Sequence, residues 1–121
     1  MKVYKDRPDT FLDVTRRALM EPNGSSFQVR YFEVAKGGFT SFEQHGHEHC
    51  VIVIRGRGRV FLKDEWSPIE LHDAIYISPM TPHQFRNDED EPLGFICVVD
   101  KDRDRPILLD SAGNPRTSEQ I

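Results

Sequence analysis

The chain has 121 residues, 37% of them hydrophobic and 30% charged, a size and mix that suit one domain with a modest core. Sixteen basic against twenty acidic residues give a formal charge of −4, which argues against nucleic acid as a partner, because phosphate backbones call for a concentrated basic face. The two cysteines cannot build a disulfide framework, Met1 to Thr10 is unlike a signal peptide, and the longest apolar run (Cys50 to Ile54) is too short to cross a bilayer; a cytoplasmic protein with free thiols and no membrane contact is expected.

In chain order, residues 1–26 read as a short N-terminal extension whose one helical candidate, Phe11–Met20, has a weak pattern. Strands are then expected near Phe27–Ala35, Phe39–His45, His49–Arg55, Arg59–Lys63, Ala74–Ser78, His83–Asn87 and Leu93–Val99. Turn signals separate them: Gly37-Gly38, Gly56 with Gly58, Lys63-Asp64-Glu65, Pro79 to Pro82, and the acidic stretch Asn87 to Pro92. Short strands at this spacing make an all-β sandwich or barrel over residues 27–105. Arg55, Arg57 and Arg59 read as the solvated rim of a hairpin. In His49–Arg55 one face carries Val51 and Val53 and the other Cys50, Ile52 and Ile54. A strand apolar on both faces needs cover on both. The N-terminal segment or a second copy must supply the outer cover, and a homodimer is expected. Residues 106–121 form a polar tail, with Pro106-Ile107-Leu108-Leu109 the part expected to dock.

Four of the five histidines fall in two groups, Glu43-Gln44-His45-Gly46-His47-Glu48-His49 and the single His83. Glu43, His45, His47 and His49 share one parity, so an extended segment would present all four on one face. Imidazoles with a carboxylate suit one divalent transition metal: Fe, Mn, Ni or Zn. The plain alternative is a polar loop of surface histidines. A lone His-x-His would favour that alternative, whereas three alternate histidines beside a same-parity glutamate seldom arise by chance.

These motifs resemble those of the small single-domain cupins. Gly37, five residues, Glu43-x-His45, three residues, His49, six residues and Gly56 match the first cupin motif in register, with Glu and His exchanged at its first His and its Glu. The second motif is matched by His72-Asp73 running to His83 and, after three residues, Asn87; His72 and Met80 stand where glycines are usual. The resemblance covers about Val29 to Val99. It implies a double-stranded β-helix, the jelly-roll barrel, with Glu43, His45, His49 and His83 as metal ligands. The exchange keeps three imidazoles and one carboxylate. His47 could be a further ligand, a neighbour of the ligands, or part of the turn. Val51, Val53, Tyr76, Phe85 and Phe95 are expected to line the pocket, while for Phe42 and Cys97 ordinary core packing is preferred. Three readings of function follow: a metal-dependent enzyme, oxygenase-like or isomerase-like, acting on a small oxygen-bearing molecule; a non-catalytic binding or sensing module for a small molecule or metal; and a structural dimer clipped by its ion.

Overall fold

In a computed structural model of the chain, residues 2–3, 10–20 and 23–116 are described. They form eleven strands and no helix: β1 (Lys2–Val3), β2 (Leu12–Met20), β3 (Phe27–Phe39), β4 (Glu43–Gln44), β5 (His49–Arg55), β6 (Gly58–Leu62), β7 (Glu65–Ile69), β8 (Ala74–Ile77), β9 (Gln84–Arg86), β10 (Leu93–Asp100) and β11 (Ile107–Leu108). One antiparallel sheet runs β7-β6-β9-β3-β10-β5-β8, with β2 also on β3 and β1 on β2; β11 pairs with β4. The sheet curls on itself into a half-barrel, in keeping with the all-β class expected.

The 13-residue β3 organises the fold. Its first part pairs with β10 and β2, and Phe39 pairs with Arg86 of β9. The expected turn at Gly37-Gly38 is instead a distortion inside this strand. The β2 register jumps from Val14↔Val34 to Leu12↔Phe39, and Gly37 takes φ +79°. A Cβ on Gly38 would lie 2.6 Å from the Leu12 carbonyl oxygen, so glycine is needed where the backbones close.

Leu12–Met20 is a strand, not a helix. The edge of β3 offers it a ladder from Val14↔Val34 to Met20↔Val29, and β-branched Val14 and Thr15 suit that pleat. Leu19 and Met20 stay exposed, so no apolar helical face is lost. β7 falls outside the expected strands because its Glu65, Trp66 and Ser67 lack an apolar alternation; Pro68 is tolerated because β7 is an edge strand. The docking expected of the tail occurs: Ile107 and Leu108 pair with Gln44 and Glu43, and Leu109 is buried.

Inward residues alternate along the strands. Val51 and Val53 of β5, Phe95, Cys97 and Val99 of β10, Ile77 of β8 and Phe85 of β9 form one buried cluster with Val34 and Leu93. On the outer face Cys50, Ile54 and Tyr76 are exposed. β2 extends the sheet beside β3 rather than covering this face, so the outer cover sought in the N-terminal segment does not come from its described strand.

Candidate metal centre

The two histidine groups meet through the backbone. Glu43 and His83 form an isolated antiparallel bridge, Glu43 N–H donating to His83 O at 3.1 Å and His83 N–H to Glu43 O at 2.9 Å. Residues facing each other across such a bridge project to the same side. Beyond Gln44 the chain leaves extended geometry, bends at Gly46-His47 and re-enters the sheet at His49. Asp104, from the loop after β10, clamps this bend. Its carboxylate accepts the Gly46 N–H at 2.7 Å, the His47 N–H at 3.1 Å and His47 Nδ1 at 2.8 Å.

His45, His49 and His83 converge, their ligand atoms all lying within 4.8 Å of one another, on the scale of two metal–nitrogen bonds of about 2.0–2.1 Å. His45 and His83 are buried. His45 Nδ1 meets the His47 carbonyl at 2.8 Å and His83 Nδ1 meets the Thr81 carbonyl at 2.9 Å. A carbonyl can only accept, so both rings carry their proton on Nδ1 and keep a bare Nε2. His49 Nε2 lies 2.6 Å from His45 Nε2, and its Nδ1 sits 3.0 Å from Cys97 Sγ. Two nitrogen lone pairs at that separation repel unless a cation or proton lies between them. Burial, reinforced by the neighbouring imidazoles, pushes His49 down to about 2; burial above all also lowers His45 and His83. Neutral imidazoles are what a divalent ion requires, so the donor set fits a metal.

Glu43 and His47 fall outside this three-nitrogen set, though both line the same cavity. The Glu43 carboxylate accepts from Ser41 Oγ at 2.8 Å, and burial raises its pKa. The His47 ring stacks on that of His45, centroids 3.8 Å apart. Asp104 holds its Nδ1 and leaves Nε2 as the ring's other nitrogen.

The cavity has a volume of about 370 Å³, in the range of small-molecule sites. Val51, Phe85 and Phe95 line it. Two other expectations are corrected. Tyr76 is 57% exposed, because it pairs with Cys50 on the outer face while its neighbour Ile77 faces in opposite His49. Val53 is wholly buried in the core and is not part of the cavity wall. Phe42 packs edge-on against Phe61, as ordinary packing would have it. Cys97, by contrast, is on the wall and touches His49. Arg16, Arg30, Arg103 and Asp104 also line the cavity, and none of them is among the residues expected there from sequence. Arg30 carried one usable signal, its place among the alternating residues of a long strand beside the inward-facing Phe32.

Residues 30–99 match the cupin domain family. The chain is 41% identical over 106 residues to the 1-methylthio-D-xylulose 5-phosphate methylsulfurylase of Rhodospirillum rubrum, spanning 87% of this chain and 68% of that protein. Among solved structures, a cupin 2 conserved barrel domain protein from Rhodopseudomonas palustris superposes with a TM-score of 0.87 at 38% identity, covering 93% of this chain and 78% of that one. A cupin-2 domain from Rhodospirillum rubrum gives 0.86 at 39% identity, covering 92% and 75%.

Proposed function

The chain belongs to the cupin family, and from that premise we propose that it is a metal-dependent enzyme acting on a small phosphorylated hydroxy-ketone in its barrel. The observation that carries this reading is the convergence of three neutral imidazoles, two with their tautomer set by a backbone carbonyl. His45, His49 and His83 would hold one divalent ion (Fe, Mn, Ni or Zn), with Glu43 turning from Ser41 to complete the set. When bound, such an ion supplies Lewis acidity at a carbonyl or hydroxyl oxygen of the substrate.

The chain's own residues do the rest. Phe85, Phe95 and Val51 offer an apolar wall to the substrate's carbon body and limit the water around the reacting end. His47 is the ring placed to take or return a proton at the wall, and Asp104 keeps its orientation through Nδ1. The substrate class is supported by the relative whose name specifies a sugar phosphate. Proton movement beside a carbonyl, an isomerase-like step, uses these groups more directly than an oxygenase step. We further propose that a second copy covers the outer face around Cys50, Ile54 and Tyr76, giving a homodimer working in the cytoplasm.

The test is solvent deuterium exchange into D-xylulose 5-phosphate, followed by proton NMR, together with elemental analysis of protein purified without added metal. Near-stoichiometric metal, and exchange that stops after chelation and in His83→Ala, are expected. Metal without exchange would make the protein a binding module. Absence of metal at any purification pH would end the reading.

A further inference from the structure

Arg30 stands on β3 with its side chain in the cavity, directly across the ladder from Cys97. Its Nε is buried and has no hydrogen-bond partner among the described residues. Its Nη2 reaches Cys97 Sγ at 3.6 Å, a weak acceptor, and its guanidinium lies 5.0 Å from the centre of the Phe32 ring. No carboxylate comes within ion-pairing distance of it among the described residues, although Glu43 is near enough for the guanidinium to favour its ionised form. A buried donor left unpaired in a native protein calls for an explanation, and a missing acceptor is the simplest one. Arg16 and Arg103 line the same cavity. Of the two acids on that wall, Asp104 is committed to Gly46 and His47. A chain of net charge −4 thus gathers three guanidiniums around one small cavity.

We propose that Arg30 is the anchor for an acidic oxygen group of the substrate, a phosphate monoester or a carboxylate, with Arg16 and Arg103 adding positive charge at the same wall. The planar fork of arginine suits two oxygens of such a group. Cys97 Sγ lies 3.0 Å from His49 Nδ1 and 3.6 Å from Arg30 Nη2, so one sulfur atom separates the anchor from the imidazole cluster. The ligand that spans both is therefore compact: an acidic group at one end and oxygens for the ion at the other. The second half of that statement rests on the metal-centred reading above, while the anion site itself does not.

Calorimetric titration of the full-length protein, as purified and after chelation, separates the two. D-Xylulose 5-phosphate, D-xylonate and uncharged D-xylulose are the probes, with metal content measured in each sample. Binding of at least one acidic probe about tenfold tighter than D-xylulose, an advantage of about 1.4 kcal/mol, is expected with and without metal. The phosphate and carboxylate arms show which acid is preferred. Arg30→Met should abolish the preference and leave the metal content unchanged, and Arg30→Lys, which keeps the charge and loses the fork, should retain part of it. Should Arg30→Met not fold, the lysine variant decides: at least threefold weaker acidic-probe binding supports the anchor, and unchanged binding overturns it. Equal binding of acidic and neutral probes by the wild type, or a preference that survives in Arg30→Met, also overturns it. Absence of metal from the protein as purified, with the anion preference intact, would refute the metal centre alone.

Discussion

Asn87 is wholly buried, and every polar atom of its side chain is used. Nδ2 donates to Val34 O at 3.0 Å and Glu91 O at 2.8 Å, while Oδ1 accepts the Glu89 N–H at 2.8 Å. Its backbone is tied to Gly37 and Gly38, where β3 is distorted. The residue therefore joins the end of the His83 segment to the central strand. Asn87→Ala removes three bonds, each worth about 1 kcal/mol net, and strands their partners, so a loss of about 3 kcal/mol is expected. For a chain of this size that lowers Tm by roughly 12 °C. Asn87→Asp keeps the shape but turns a carboxylate toward two carbonyl oxygens. Its folded-state pKa must rise above the usual aspartate range, so the variant's stability relative to wild type is greatest in acid and falls as pH rises through that raised value. The Asn87→Ala deficit should be flat over the same range. Urea unfolding followed by the fluorescence of the single tryptophan, Trp66, measures both. An alanine variant within 1 kcal/mol of wild type, or an aspartate variant with no added pH dependence, would refute the reasoning.

Gly56 has φ +66°, and a Cβ there would lie 2.3 Å from the Pro92 carbonyl oxygen, whereas Gly113, at φ +85°, has open space around it. Gly56→Ala should cost at least about 2 kcal/mol and Gly113→Ala about 1 kcal/mol in the same urea assay; equal losses would show that the close approach is unimportant. Asp104 is held below the usual aspartate range, first by the Gly46 N–H and then by His47. Its contribution is present above the unfolded aspartate pKa and is lost as pH falls through and below it, so stability should drop less steeply in acid for Asp104→Asn than for wild type. Parallel acid limbs would contradict this. For the homodimer, Ile54→Glu together with Tyr76→Arg should halve the mass seen by sedimentation equilibrium and leave metal content intact; an unchanged mass would place any interface elsewhere.

The local pattern alone carried the all-β class and the inventory of donors. Strand parity and turn residues act over a few positions, and parity put Glu43, His45, His47 and His49 on one face, while the resemblance to the cupin motifs joined His83 to Glu43, His45 and His49. Convergence was a tertiary matter. The Glu43–His83 bridge and the bend at Gly46-His47 bring three nitrogens together and leave the glutamate on the wall, a difference that simple parity could not express once the chain ceased to be extended. Leu12–Met20 became a strand because β3 had a free edge for it, and Tyr76 was turned outward by the pairing of β8 with β5. Asp104 reaches His47 across 57 positions and Arg30 reaches Cys97 across 67. Contacts of that range leave no periodic trace in a single sequence, because what selects them is the closing of the barrel and not the neighbours of either residue.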